Sequence, residues 1–258
     1  MRQILKEEEK DGNKTHLKLF NMNTESNSYT FLFAALMTLV VASTLAFTAS
    51  SLKAKQDENV RKEKMQSILK TIGINTSRDG AEELYKKHIK EEISLDQEGN
   101  IDNSVSAFSI KLIREIKKPL SEQRFPVFIA QVKEDKYYVI PLRGAGLWDA
   151  IWGYVALRED KKTIEGIIFD HKGETAGLGA EISQQWFQDL FKEEKLFDIK
   201  GDLVGINVSK TNNDPKNLDK EDHEVDAISG ATITGDGVSD MILERMRHYL
   251  PYFNKLDI

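Results

Sequence analysis

The chain has 258 residues, a formal net charge of −6 at pH 7 and no cysteine. This length allows one sizeable domain with attachments, or two small domains. The lack of cysteine excludes disulfides, Fe–S clusters, thiolate metal sites and cysteine nucleophiles, and the negative charge without a basic stripe argues against a nucleic-acid partner.

The N-terminal part predicts a short polar tail over residues 1–25 and a transmembrane helix over residues 26–52. Residues 26–52 contain no charged side chain. As a helix they would be roughly 40 Å long, enough to cross a hydrocarbon core of about 30 Å. A cleaved signal peptide, with Ala46–Ser50 as its cleavage region, is the alternative, but it would have a shorter apolar core and a basic start. Residues 1–29 instead carry five basic and five acidic side chains, which favours the anchor.

The charges beside this helix do not decide its orientation. Basic residues are more frequent on the downstream side, which alone would hold that side in the cytoplasm. The rule weakens for long domains, and about 200 residues follow the helix. The basic residues near the helix are Lys18 upstream and Lys53, Lys55, Arg61, Lys62 and Lys64 downstream.

A membrane-proximal helical region is expected over residues 53–120. Apolar residues at helical spacing predict that the membrane helix continues outward as a stalk to Ile74, with Gly73 and Asn75 ending it. Ala81–Ile93 predicts a second amphipathic helix. The apolar stripe of the stalk comprises Val60, Met65, Ile68, Leu69 and Ile72.

Residues 121–258 are expected to form a separate domain that contains an antiparallel sheet. Two charged segments, Glu134–Lys136 and Arg158–Lys162, are interpreted as hairpin turns. Four runs rich in β-branched and aromatic residues predict its strands: Phe125–Val132, Tyr137–Ile140, Trp152–Leu157 and Thr163–Asp170.

The remaining elements complete an α+β fold. Three segments predict a helix, a strand and a polar loop, in that order: Glu181–Phe191, Asp202–Lys210 and Thr211–Asp222. A last helix is expected to begin near Asp236, a good N-cap, and to stop at Leu250, before Pro251. The fold class is therefore α+β, with a single N-terminal transmembrane helix, a helical stalk and an antiparallel-sheet domain.

The most informative stretch is the Thr232 segment, residues 226–232, with the sequence Asp-Ala-Ile-Ser-Gly-Ala-Thr. Gly230 allows close backbone approach, Ala231 leaves space, and Thr232 offers a hydroxyl where the N–H groups of the next helix would converge on an anion. The helix dipole would add about 0.3–1 kcal/mol of stabilisation for such an anion. Taken alone, the segment is more typical of an ordinary Ser/Thr/Gly turn than of a phosphate site.

Two further segments are rich in glycine. The Glu174 loop, residues 171–179, reads His-Lys-Gly-Glu-Thr-Ala-Gly-Leu-Gly and would form a tight loop whose backbone can line a flat ligand. The Trp148 segment, residues 144–148, reads Gly-Ala-Gly-Leu-Trp and would suit an aromatic ring system. Taken singly, the Glu174 loop is also typical of a turn at a strand end. Trp148 and the nearby Trp152 could also be core residues, and for Trp152, which lies in a predicted strand, this is the better interpretation.

Together and in their order along the chain, the three segments resemble the FMN-binding domain of the NqrC subunit of the Na⁺-translocating NADH:quinone reductase. They also resemble that of the related FMN-carrying subunit of the Rnf ferredoxin:NAD⁺ complex. The resemblance runs from about residue 27 to the end and includes the membrane helix. The chain length, the long insertion between stalk and sheet and a Gly-Leu-Trp-x-x-x-x-Gly-Tyr pattern favour the quinone reductase. A membrane-tethered binding module without redox activity is the alternative from another class.

The resemblance implies that the chain carries FMN covalently, as a phosphoester on Thr232 in an Asp-x-x-Ser/Thr-Gly-Ala-Thr motif. It implies neither a catalytic acid–base residue nor a metal ligand, because the reaction is electron transfer. The other flavin contacts implied are Ser229, Gly230, Ala231, Glu174, Thr175, Gly177, Leu178 and Trp148.

The same resemblance implies partners and a location. A flavin transferase that uses FAD and Mg²⁺ would load the cofactor. Electrons would pass from an Fe–S centre in the membrane part of the complex to a second covalent FMN on a neighbouring subunit, on the way from NADH to ubiquinone, while Na⁺ is pumped outward. The domain would lie on the outer face of the cytoplasmic (inner) membrane, held by a single-pass anchor.

Overall fold

The computed structural model describes residues 24–256, which fall into two compact units, one ending at Glu58 and the other beginning at Asn59. The described part of the first unit consists almost entirely of helix α1, whose bounds are Asn27–Thr71. The N–H of Tyr29 donates to Ser26 Oγ at 3.2 Å, which caps the helix start. By length and composition α1 can cross a membrane, and its most apolar window has no buried residue.

In the second unit, the end of α1 packs into the core. Met65, Ile68 and Leu69 are buried, whereas Val60 in the predicted stripe is exposed. Gly73 then adopts φ = +78°, and the N–H of Ile74 donates back to the Leu69 carbonyl at 3.0 Å. This glycine-terminated C-cap confirms the predicted end of the helix.

A five-stranded antiparallel sheet forms the centre of the second unit, with the strands in sequence order so that each pairs with its neighbours in the chain. The strands are β1 (Ile89–Leu95), β2 (Phe125–Val132), β3 (Asp135–Ala145), β4 (Ala150–Leu157) and β5 (Ile164–His171). The α+β class and the antiparallel sheet are confirmed.

Short helices and a small second sheet surround these strands. The remaining α-helices are α2 (Ala81–His88), α3 (Leu112–Glu115), α4 (Gln185–Leu190), α5 (Thr232–Arg247) and α6 (Leu250–Leu256). Short 3₁₀ helices span Ala107–Ser109, Leu120–Glu122 and Gly179–Ser183. Two strands of two residues, β6 (Asn207–Val208) and β7 (Glu224–Val225), pair in parallel.

Both faces of the large sheet are covered. Successive side chains of a strand point to opposite faces, and in β2 Val127 and Ile129 enter one core while Phe128 and Ala130 enter the other. The first core also contains buried residues of α4, α5 and α6. The second contains the end of α1 and residues of α2. Helix α5, which begins at Thr232, is therefore part of a packed layer.

Two predicted elements are wrong in part. The helix predicted over Ala81–Ile93 ends at His88, and Ile89–Leu95 is the edge strand β1. A four-residue spacing between Ile89 and Ile93 fits both a helix and one face of a strand, and pairing with β2 decides between them. The strand predicted over Asp202–Lys210 shrinks to β6, because Gly205 adopts φ = +75° and breaks the extended run.

The helix ends at the C-terminus also differ from the prediction. Helix α5 begins at Thr232, four residues before Asp236, and ends at Arg247. Pro251 does not end the structure but lies in the first turn of α6, where its missing N–H costs nothing. The predicted helix Glu181–Phe191 is divided into a 3₁₀ turn and α4.

Candidate functional site

The Thr232 segment forms a tight turn that opens directly into α5. Gly230 adopts φ = +73°, and the Ala231 N–H donates to the Ile228 carbonyl at 3.0 Å. Thr232 is the first residue of the helix, and it is exposed together with Gly230 in the same turn. Ala231 occupies the N-cap position and has no polar side chain with which to satisfy the first N–H groups of the helix. An anion attached to Thr232 Oγ would meet those groups.

The Glu174 loop lies against this turn. A Cβ atom on Gly230 would come within 2.8 Å of Leu178 Cδ2, so the two segments touch. The loop is closed by the N–H of Leu178, which donates to the Thr175 carbonyl at 3.1 Å, and by Gly177 with φ = +76°. Leu178 thus lies beside the turn, and Thr175 and Gly177 belong to the same loop.

The carboxyl group of Glu174 joins the Glu174 loop to the Trp148 segment and to the first turn of α5, which follows the Thr232 segment. Glu174 is only 7% exposed, and its Oε2 accepts a hydrogen bond from the hydroxyl of Thr234 at 2.7 Å. Its Oε1 accepts one from the backbone N–H of Trp148 at 3.0 Å. Glu174 thus holds the start of α5 and the Trp148 segment together from within, with both carboxyl oxygens engaged by the protein.

Glycines make room for this buried carboxyl group. A Cβ on Gly146 would lie 2.5 Å from Glu174 Oε1, and one on Gly179 would overlap Oε2 and crowd Thr234 Oγ1 at 2.6 Å. Farther along α5, a Cβ on Gly237 would overlap the carbonyl oxygen of Ala145. The glycines of the motifs therefore allow three backbone segments to approach the same side chain and one another.

Large apolar side chains are exposed in these segments and in the first turn of α5. Trp148 is 68% exposed and does not fold back into the core. Trp152, by contrast, lies half-buried within β4, in agreement with its interpretation as a packing residue. The exposed large apolar residues of the three segments and the first turn of α5 are Leu147, Trp148, Leu178 and Ile233. This arrangement fits FMN, because a phosphate suits the helix start and a flat aromatic ring suits the apolar surroundings.

The buried threonine and the aspartate of the motif have structural roles that the sequence did not reveal. Thr234 is 1% exposed and was not singled out, although its position two residues after Thr232 in a helix start was a usable signal. Asp226 Oδ1 accepts hydrogen bonds from the N–H groups of Asn213 and Asp214, at 3.0 and 3.2 Å. Asp226 therefore fastens the polar loop that precedes β7.

Charged groups near the site are paired for structural reasons. Lys172 Nζ contacts Asp149 Oδ2 at 2.7 Å, and this hydrogen bond holds the pKa of the Asp149 carboxyl below its usual range. The N–H of Glu174 donates to His171 Nδ1 at 3.2 Å, so His171 closes the loop locally. Within residues 24–256, no group of three or more His, Asp or Glu side chains is arranged to hold a metal ion.

Comparison with known proteins agrees with this geometry. The FMN-binding domain family matches residues 146–245, which include strands β4 and β5 and all of the Thr232 segment. The NqrC subunit of the Na⁺-translocating NADH-quinone reductase from Pseudomonas aeruginosa is 30% identical over 240 residues, covering 85% of this chain and 91% of that protein. The corresponding Haemophilus ducreyi protein is 31% identical over 234 residues, covering 84% and 89%.

Solved structures give the same result. The crystal structure of the NqrC subunit from Parabacteroides distasonis has a TM-score of 0.69 and 36% identity, covering 78% of this chain and 96% of that one. Shewanella oneidensis NqrC has a TM-score of 0.64 and 25% identity, covering 76% and 97%. From its sequence, fold and FMN-binding domain together, the chain belongs to the NqrC family of Na⁺-translocating NADH-quinone reductase subunits.

Proposed function

We propose that this chain carries FMN covalently, as a phosphoester on Thr232, and relays electrons within the reductase. The observation that carries the proposal is the exposed hydroxyl of Thr232 at the first residue of α5, where no N-cap side chain competes for the helix N–H groups. A phosphodiester keeps one negative charge, which the helix dipole stabilises by about 0.3–1 kcal/mol. Ser229 lies in the same turn but outside the helix, so it lacks this advantage.

The other residues of the site bind and orient the cofactor. Leu178, Ile233 and Trp148 offer apolar surface for a flat ring, and the exposed backbone of the Glu174 loop offers hydrogen-bonding groups at its edge. Glu174 itself positions these segments, since both of its carboxyl oxygens already accept hydrogen bonds from the protein. When bound, FMN supplies the electron-transfer chemistry, and the protein supplies binding and orientation.

Loading and electron transfer require partners. We propose that a flavin transferase presents FAD, that Thr232 Oγ attacks the FMN phosphorus, and that AMP leaves while the hydroxyl proton is released. The Oγ–P bond replaces the P–O bond of the pyrophosphate, so the flavin stays attached through the reaction cycle. In the complex, electrons then pass from an Fe–S centre in the membrane part to the second covalent FMN, on a neighbouring subunit. Helix α1 anchors the chain, and the sheet domain lies on the outer face of the membrane.

The attachment is tested by expressing the full-length chain in cells that contain the flavin transferase. The wild type is expected to gain the mass of one FMN less one water and to fluoresce in a denaturing gel. Thr232→Ala is expected to show neither signal. Ser229→Ala removes the neighbouring hydroxyl of the same turn and is expected to keep covalent flavin, although it loads less efficiently because Ser229 is an expected flavin contact. Loading of Thr232→Ala, or loss of loading only in Ser229→Ala, contradicts the attachment site.

The location of the domain is tested by labelling. Because the natural chain has no cysteine, one cysteine introduced at the exposed Lys200 provides a unique thiol. A membrane-impermeant maleimide added to intact spheroplasts is expected to label Lys200→Cys fully. Labelling only after lysis would place the domain on the cytoplasmic side and contradict the proposed electron path.

A further inference from the structure

An open cleft of about 640 Å³ lies beside the Trp148 segment, on the side of the C-terminal end of α5. Its walls come from the end of β3, the last turn of α5 and the segment that includes Ile116. Arg143, Arg245, His248 and Trp148 are among the side chains that line it. The lining includes three basic side chains, Arg143, Arg245 and His248, and two acidic ones, Asp149 and Glu244.

Two guanidinium groups in this cleft lack the acceptors that such groups normally have. Arg245 is 6% exposed, and its Nη2 donates to Glu244 Oε1 at 3.0 Å. Its buried Nε–H has no acceptor among the described residues. Arg143 is half-buried, its guanidinium makes no hydrogen bond or ion pair within residues 24–256, and burial lowers the pKa of this group. Buried donors are nearly always satisfied in folded proteins, by protein, water or a bound ion.

The acidic residues of the cleft do not neutralise these groups completely. Glu244 pairs with Arg245, and Asp149 pairs with Lys172 at 2.7 Å. Asp149 also attracts Arg143, but without a direct contact. The ring of His248 stacks on that of Phe125 at 4.9 Å, and burial lowers the pKa of its imidazole, so it adds no full charge at neutral pH. The guanidinium of Arg143 is therefore left with its hydrogen-bond donors available to a ligand.

The cleft is separate from the proposed flavin attachment. Arg245 follows Thr232 by thirteen residues in the same helix, which corresponds to roughly 20 Å along the helix axis. The whole Trp148 segment, residues 144–148, lines the cleft, so this segment borders both the cleft and the proposed flavin site. A ligand held between Arg143 and Arg245 is therefore not the phosphate group attached to Thr232.

We propose that this cleft binds a phosphate-type oxyanion, whose oxygens accept hydrogen bonds from Arg143 and Arg245. Guanidinium groups match such anions because their donors form a planar fork and keep their charge. Inorganic phosphate and the headgroup of an anionic phospholipid share this chemistry. The proposal stands whether or not Thr232 carries FMN.

A neighbouring segment gives the lipid source a physical basis. Ile116 lines the cleft and lies in the stretch 111–120, which combines basic and apolar side chains. Such a combination is typical of surfaces that meet anionic lipid. Its basic residues are Lys111, Arg114, Lys117 and Lys118, and its exposed large apolar residues are Ile113, Ile116 and Leu120.

Hydrogen–deuterium exchange of the full-length chain in nanodiscs tests the site and its source. In the first arm, phosphatidylcholine nanodiscs are titrated with inorganic phosphate, with chloride keeping the ionic strength constant. In the second arm, phosphatidylglycerol replaces part of the lipid and no phosphate is added. Saturable protection of residues 143–150 and 244–248 in the first arm identifies free phosphate, and protection in the second arm identifies the headgroup; either result supports the site.

Variants decide whether the two arginines are responsible. Arg143→Gln is expected to raise the half-saturating phosphate concentration at least tenfold, or to abolish the lipid-dependent protection, and Arg245→Gln to do the same. Lys200→Gln removes one positive charge from an exposed turn and is expected to have no effect. If Arg245→Gln fails to fold, the half-buried Arg143 carries the test. The proposal is overturned if neither arm shows protection, if both arginine variants keep it, or if only Thr232→Ala removes it.

Discussion

Replacing Glu174 should loosen the candidate flavin site more than replacing any exposed residue around it. In the wild type, its carboxyl group accepts hydrogen bonds from the Thr234 hydroxyl at 2.7 Å and the Trp148 N–H at 3.0 Å. Glu174→Ala removes both acceptors and leaves a void between Gly146 and Gly179. The start of α5 and the Trp148 segment would then lose the side chain that joins them.

The expected cost differs between the two donors. Thr234 is 1% exposed, so its hydroxyl loses its acceptor in a buried place, which costs about 1–3 kcal/mol. The N–H of Trp148 lies in an exposed segment and can bond to water, so its loss adds about 0.5 kcal/mol. With a small void term, Glu174→Ala should lower the free energy of unfolding by about 2–4 kcal/mol. Glu174→Gln keeps one acceptor and should cost about 1 kcal/mol.

Urea unfolding of the full-length chain in detergent, followed by tryptophan fluorescence, measures these differences. The flavin-loaded Glu174→Ala chain should also show lower fluorescence anisotropy, because its cofactor surroundings are less fixed. A double-mutant cycle with Thr234→Val isolates the buried hydrogen bond and should give a coupling energy of about 1 kcal/mol or more. A loss below about 0.5 kcal/mol in Glu174→Ala, or zero coupling, would refute the assigned role.

Three further outcomes are expected. Gly230→Ala should lower the free energy of unfolding by about 1–3 kcal/mol and reduce flavin loading, because φ = +73° strains alanine and its Cβ would lie 2.8 Å from Leu178 Cδ2; urea unfolding and in-gel fluorescence measure both. Gly237→Ala should cost about 1–3 kcal/mol, because its Cβ would overlap the Ala145 carbonyl oxygen and push α5 from β3; urea unfolding measures this. Burial raises the pKa of the Glu194 carboxyl from 4.5 to about 7. The contribution of Glu194 to stability is therefore complete below pH 4.5 and decreases by about 1–3 kcal/mol as the pH rises through 7. A plot of Tm against pH measures this decrease.

Matched variants separate the causes. Gly201→Ala combines φ = +86° with open space, so it isolates strain from the Leu178 contact, and an equal loss in Gly230→Ala would show that this contact contributes nothing. Gly173→Ala has neither constraint and should leave the free energy of unfolding unchanged. Gly237→Ala must lower the free energy of unfolding more than Gly173→Ala does. Glu194→Gln should flatten the slope between pH 4.5 and 7; an unchanged slope would assign the titration to another group.

The sequence predicts an element correctly where its local pattern and the tertiary packing agree. Phe125–Val132 was predicted as a strand with the observed bounds, because its β-branched and aromatic run is buried on both faces. The three glycine-rich segments were also recognisable. Their meeting point was not, since Glu174 and Thr234 are 60 residues apart and no local pattern shows that they touch.

The start of α5 was missed for a physical reason. Asp236 is a good N-cap and Gly235 before it disfavours a helix by about 1 kcal/mol relative to alanine, so the local pattern predicts a start near Asp236. Packing requires Gly235 and also Gly237, because a Cβ on Gly235 would lie 2.9 Å from Val208 Cγ1 and one on Gly237 would overlap Ala145. The prediction of β1 as a helix failed similarly, because edge pairing overrode a four-residue apolar spacing.

The strand order also determines when the flavin site can assemble during folding. Strands β2 to β5 pair through short connections, so this part of the sheet can form from local hairpins, whereas β1 joins β2 only across residues 96–124. The C-terminal helices must then return across the chain; the hydroxyl of Tyr249 bonds to the Pro126 carbonyl, 123 residues away. The turn around Thr232 is thus expected to be completed only after Tyr249 and the neighbouring helices α5 and α6 have docked. If Thr232 carries the flavin as proposed, covalent flavin should mark chains that have finished folding, and newly made chains should acquire it later than they acquire a protected sheet.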